Sequence, residues 1–145
     1  KVPHTKVHIN LLDGEEKEKN YLALNPSGYV PCLIVDGNQL GESIPIIEWL
    51  EEKYPQPSLL PGDIFQRAFI RRLAETINSG IQPLHNLEVI KKISSNKEEQ
   101  MAWSRAWIER GLQIYESLIL QESKKKLFSV SDTPTIADLC LIPQC

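Results

Sequence analysis

Apolar and polar positions alternate over residues 6–11, KVHINL, with Val7, Ile9 and Leu11 on one side. A period of two predicts a half-buried strand. The polar stretch from Asp13 to Asn20 reads as a loop and a short helix ending near Leu24. Two short apolar pieces follow, CLIV and QL, parted by Asp36-Gly37-Asn38. Aspartate-glycine between apolar runs predicts an antiparallel hairpin. The spacing then changes: in SIPIIEWLEEKY, Ile46, Ile47 and Leu50 share a helical face. Ser43 suits the N-cap of that helix, and Pro45 is tolerated in its first turn. The order is strand, helix, hairpin, helix.

Residues 55–61, PQPSLLP, hold three prolines in seven positions and read as a semi-rigid connector. Beyond them every pattern is helical. Asp63 and Gln66 form an N-cap and N3 pair for a helix running to about Ser79. Gly80 and Pro83 interrupt it, and LHNLEVIKKI resumes. Asn96 with Glu99 caps a longer pattern, in which Trp103, Trp107, Ile114 and Leu118 recur at helical spacings and read as bundle core. Thr135-Ile136-Ala137-Asp138 places a hydroxyl at an N-cap and a carboxylate at N3, ahead of the apolar LCLI. The fold class is therefore α/β plus all-α. Its expected boundaries are 1–54 for the mixed domain, 55–62 for the linker and 63–145 for the helical domain.

Composition adds little to this division. With 41% hydrophobic and 24% charged residues and a net charge of −3, the chain lacks the basic face that nucleic acid requires. Its only basic run, Lys124 to Lys126, reads as a solvated loop. No apolar run reaches the roughly 18 residues of a membrane span. Cys32, Cys140 and Cys145 are odd in number and lack metal-ligand spacing. Cys32 and Cys140 read as small buried hydrophobes in a reducing, cytosolic setting. The chain opens on Lys1 and stops at Cys145 inside an apolar helical pattern, which reads as a fragment.

One local oddity remains: Pro31 in NPSGYVPCL stands where a strand begins and removes a backbone donor. With LNPSGYVP, GESIPIIEWLEEKYP, LLPGD and TIAD in this order, the chain resembles the cytosolic glutathione transferases. GIQPLHNLEVIKK, WIERGL and ADLCLIPQ resemble the zeta class, whose members act as maleylacetoacetate isomerases. The resemblance covers essentially the whole chain. It implies a partial thioredoxin-like domain followed by a glutathione-transferase-type helical domain, with glutathione as cofactor.

The resemblance also implies a cis bond before Pro31, which leaves the backbone of Val30 free to pair with the cysteinyl part of glutathione. Glu42 would receive the tripeptide's ammonium, and Ser43 with the helix N-terminus its α-carboxylate. Alone, Ser43 is a routine cap and Glu42 a surface acid. Glu16 stands where the family usually has a glutamine reaching the glycyl end. Asn86 matches a position lining the cleft, or is simply a polar residue on an exposed helix. The residues that activate the thiol would lie before Lys1, and further helices after Cys145, so no catalytic residue is named and this chain alone is expected to be inactive. The implied partners are a small electrophile or diketo acid and a second copy in a homodimer. A non-catalytic module for protein association and a general glutathione transferase remain the alternatives.

Overall fold

Asp36 and Gly37 both adopt positive φ, 48° and 78°, the backbone that a two-residue turn needs to match the twist of its strands. They join β1 (Cys32–Val35) to β2 (Asn38–Gly41). The strands are antiparallel, in a register that runs from Val35↔Asn38 at the turn to Cys32↔Gly41 at the open end. The computed structural model describes residues 2–121 and 126–145. They fall into two units, Lys1–Lys53 and Tyr54–Cys145.

In the first unit a 3-10 turn (Glu15–Lys17) leads into α1 (Lys19–Leu22), and β2 leads into α2 (Ser43–Lys53). Residues 6–11 do not form the strand that their alternation predicts. A strand needs a neighbour to satisfy its backbone, and among the described residues the sheet has two strands, which pair with each other. Without a ladder the alternation has no face to bury, and Val7 is 76% exposed.

The second unit is helical: α3 (Ile64–Asn78), a 3-10 turn (Gln82–His85), α4 (Leu87–Ile93), α5 (Lys97–Leu120), α6 (Ile136–Leu141) and a last 3-10 turn (Ile142–Gln144). Asp63 caps α3 by accepting from the Gln66 N–H at 2.8 Å. Asn96 caps α5 by accepting from the N–H groups of Glu98 and Glu99. Ile70, Leu73, Ala74 and Ile77 make the buried stripe of α3. With Leu60, Ile81, Tyr115, Leu118, Ile136, Ala137 and Cys140 they form the core. Each fully buried aliphatic side chain there stabilises the unit by about 1.5–3 kcal/mol. The pattern overstated the core on α5: Leu118 is buried, Trp103 and Trp107 are half-buried, and Ile114 is exposed. The tryptophans instead pack tilted on each other at 5.8 Å, and Trp103 donates to the Leu84 carbonyl.

The proline run is anchored at its second half. The Leu59 carbonyl accepts from the Ile136 N–H at 3.0 Å and Leu60 is buried. Of the basic run, Lys124 and Lys125 lie outside the described residues, while Lys126 pairs with Asp132 at 3.1 Å.

Candidate functional site

The segment ahead of β1 is built around one carbonyl. The Tyr29 oxygen accepts from the Tyr21 phenol at 2.7 Å and from the Asn25 amide at 2.8 Å. Asn25 is itself buried, and its other side-chain atom accepts from the Ser27 hydroxyl and N–H. Lys17 closes the ring from outside: its ammonium donates to the Gly28 carbonyl and lies 4.8 Å over the Tyr29 ring. Gly28 sits at φ 62°, where an L side chain is costly, and a Cβ would stand 3.1–3.2 Å from Leu22, the Glu16 carbonyl and Lys17. Burial raises the pKa of the Tyr21 phenol above its ordinary value.

These bonds stop at Tyr29. The next residue, Val30, is 40% exposed, and its backbone makes no hydrogen bond to another described residue. The Val30–Pro31 bond is cis. The ladder ends at Cys32↔Gly41, so Val30 and Pro31 lead into the hairpin at the same end at which Glu42 and Ser43 leave it. Residues far apart in sequence are thus gathered at the open end of the hairpin.

Glu42 adopts φ 67°, a left-handed conformation that costs a non-glycine residue about 1–3 kcal/mol. Its carbonyl accepts the Ile46 N–H at 3.2 Å, so Glu42 takes the N-cap role and Ser43 is the first helical residue, not the cap its sequence predicts. The left-handed turn at Glu42 is what shifts the start by one. Because Pro45 has no N–H, the free donors of the first turn are those of Ser43 and Ile44, beside the Ser43 hydroxyl. Eleven residues of aligned peptide dipoles stand behind them, with no acid in the first turn. A helix start of this kind favours an anion.

The end of the hairpin therefore offers a peptide backbone with both groups open, a helix start whose dipole favours an anion and an exposed carboxylate that could meet a cation. Together they fit a short peptide with a free amino-acid end. Glu16 belongs to the wall behind the loop, through its carbonyl against Gly28. Its Oε2 is buried with no hydrogen-bond partner among the described residues. Sequence reasoning missed Tyr21 and Lys17, whose only signal was a buried-type tyrosine one helical turn before Asn25.

Asn86 lies in the helical unit, where it is exposed and caps α4 by accepting from the Glu88 N–H at 3.1 Å. The same unit holds a saturated polar centre. Asp138 accepts at Oδ1 from the Ser129 N–H and hydroxyl, and at Oδ2 from the Thr135 N–H and hydroxyl, all within 2.6–2.9 Å. Tyr115 donates to Ser129 at 2.7 Å, and burial pushes its pKa up to about 12. Burial alone would raise the Asp138 carboxyl, yet the bonds from Ser129 and Thr135 hold it below its usual value. This is cap chemistry, with every acceptor consumed. Burial pushes the Cys140 thiol up to about 11, Cys145 is exposed at the end of the chain, and Cys32 is half-buried on β1 instead of in a core.

Among the described residues no group of histidine, cysteine or acidic side chains could hold a metal ion, and no helix is long and apolar enough to cross a membrane. Residues 2–58 match the model of the glutathione S-transferase N-terminal domain. Over 136 residues the chain is 41% identical to a probable maleylacetoacetate isomerase 1 of Drosophila melanogaster, covering 94% of this chain and 54% of that protein. A holo maleylpyruvate isomerase, a bacterial glutathione S-transferase of the zeta class, superposes with a TM-score of 0.94 at 36% identity, over 99% of this chain and 69% of that one. A maleylacetoacetate isomerase from Anaeromyxobacter dehalogenans 2CP-1 with glutathione bound in its active site superposes with a TM-score of 0.76 at 39% identity, over 94% and 64%. The chain thus spans about half the length of the fruit-fly protein and two thirds of the bacterial ones. On the sequence identity and the shared fold together, the chain belongs to the glutathione S-transferase family, in its zeta class.

Proposed function

We propose that this protein is a glutathione-dependent isomerase that converts a cis double bond of maleylacetoacetate, or a closely similar diketo acid, to trans. The observation that carries the reading is the open backbone of Val30, which leads into the end of the hairpin where Ser43 begins α2. Val30 pairs with the middle of the tripeptide, Ser43 and the first-turn donors take its α-carboxylate, and Glu42 takes its ammonium. Bound glutathione supplies a thiolate nucleophile that adds reversibly to the conjugated alkene and so frees the bond to rotate. We assign no thiol-activating residue within the 145 positions.

We further propose that the protein acts as a cytosolic homodimer, a state that sedimentation of the whole protein measures directly. The test of the central reading is binding to immobilised glutathione. Glu42→Ala with Ser43→Ala should abolish retention, and unchanged retention would remove both from the site. Isomerisation by the whole protein should require added glutathione, and turnover without it would overturn the mechanism.

A further inference from the structure

The open peptide of Val30 is aimed by the residues ahead of it. A trans peptide is planar, with its carbonyl and N–H on opposite sides, so whatever holds the Tyr29 carbonyl also sets the direction of the Val30 N–H. Tyr21 and Asn25 hold that carbonyl, which turns the Val30 N–H to the side away from them. Two peptides earlier, the Gly28 N–H donates to the Asn25 carbonyl at 3.0 Å and fixes the Ser27–Gly28 unit.

Between these two lies the Gly28–Tyr29 peptide, with a swivel on one side. Gly28 has no Cβ and tolerates a wide range of φ and ψ. Its carbonyl accepts from the Lys17 ammonium at 3.1 Å, and the same ammonium lies 4.8 Å over the Tyr29 ring. One cation thus grips the middle link twice, by a charge-assisted hydrogen bond to backbone and by its place over the ring. It comes from another element, the 3-10 turn Glu15–Lys17, eleven residues back. Tyr21 and Asn25 are buried, whereas Lys17 is exposed. The middle link therefore depends on a surface side chain, which can be changed without opening a core.

We propose that Lys17 is a positioning residue for the tripeptide: it fixes the Gly28–Tyr29 peptide and so keeps the Val30 N–H and carbonyl aimed at the ligand, without touching the ligand itself. This role rests on the glutathione reading of the hairpin end. A positioning residue sets the fraction of molecules whose loop is competent, and the apparent Kd rises by the inverse of that fraction when it is lost.

The test uses the whole protein, with glutathione binding read by calorimetry and amide relaxation dispersion read in the absence of ligand. Lys17→Met keeps the stem and removes the charge. It should weaken glutathione about fivefold, the loss expected if the loop is aimed about one fifth of the time. Lys17→Arg keeps a cation that can bond the carbonyl and stack on the ring, and should stay within about twofold of the native protein. Glutathione esterified at its glycyl carboxylate should lose the same factor in Lys17→Met as glutathione does. Microsecond-to-millisecond broadening should appear at the Gly28 and Tyr29 amides of Lys17→Met and be absent from the native protein and Lys17→Arg. The position is exposed, so both variants should fold, and thermal melting checks that they do. Unchanged affinity in Lys17→Met, or a loss that arginine does not recover, would overturn the proposal. A loss that spares the ester would place Lys17 on the ligand's carboxylate and overturn it too. Failure of the native protein to bind glutathione would sink the isomerase reading and this role with it, whereas native binding with quiet amides in Lys17→Met would sink this role alone.

Discussion

The loop before β1 and the cap of α6 are made of the same material, buried polar side chains bonded to backbone, and they end in opposite states. At the cap, Asp138 receives four hydrogen bonds and nothing is left over. At the loop, Tyr21 and Asn25 spend their donors on the Tyr29 carbonyl and leave the neighbouring peptide of Val30 open. A buried carboxylate that satisfies itself can only stabilise. A network that fixes the Tyr29 carbonyl and leaves the Val30 N–H and carbonyl open would hold those groups in place before a ligand arrives, which would lower the ordering cost of binding. Strain follows the same division: among the described residues the left-handed non-glycine positions, Asp36 and Glu42, belong to the hairpin unit.

The largest effect should come from breaking the saturated side. Asp138→Ala strips partners from Ser129 and Thr135 in a buried place, and orphaned donors there cost about 3–4 kcal/mol together. Urea unfolding followed by the emission of Trp103 and Trp107 should show it; a loss under 1 kcal/mol would mean that water or a neighbour replaces the carboxylate. The pH dependence has a definite sign. The folded carboxyl is held below its ordinary value of 3.8. Its stabilisation is therefore complete above the unfolded-state pKa and is lost as pH falls through the lower folded one. Stability of the native chain should decline below about pH 4 more steeply than that of Asp138→Asn.

On the open side, Gly28→Ala should be next. Left-handed backbone costs alanine about 1–2 kcal/mol, and of the neighbours 3.1–3.2 Å from its Cβ the Glu16 carbonyl is backbone and cannot swing away. The loop must shift, so retention on immobilised glutathione should fall several-fold along with stability. Destabilisation with full retention would show that the Val30 peptide is placed by something other than this loop.

Legibility in the sequence followed the range of the interactions. Asp36-Gly37, Asp63 with Gln66, Asn96 and Thr135 with Asp138 are turn and cap signals whose partners lie within a few residues, and each appears where the pattern put it. The strand at 6–11 failed because alternation describes a face, while a strand also requires a neighbour. Ser43 was one place off because the left-handed turn at Glu42 leaves no mark in residue type. Tyr115 and Ser129 reach Asp138 across a loop, and Tyr21 reaches Tyr29 over eight residues, so neither could be read from local spacing. Of the candidate site, the residue types were legible; the bonds from Tyr21 and Asn25 that hold the Tyr29 carbonyl were not.

A smaller change tests whether the loop's two donors are redundant. Tyr21→Phe removes one of two bonds to the Tyr29 carbonyl and leaves the Asn25 bond, so stability should fall by about 1 kcal/mol and glutathione retention only slightly. A collapse of retention would make the phenol, and not Asn25, the anchor of the loop.

The finest test separates strain from chemistry at Glu42. Glycine relieves the left-handed backbone but adds freedom to the unfolded chain, so Glu42→Gly should gain at most about 1 kcal/mol. Alanine keeps the Cβ and the strain, so Glu42→Ala should be no more stable than the native chain. Both lose the carboxylate, and both should lose glutathione retention to the same degree. A stability difference between the two variants measures the strain, and their shared loss of binding measures the acid. If glycine is no more stable than alanine, Glu42 is not strained, and the contrast between a relaxed cap and a strained binding turn fails at this residue. If glycine alone loses binding, the turn's rigidity, and not its charge, is what holds the ligand.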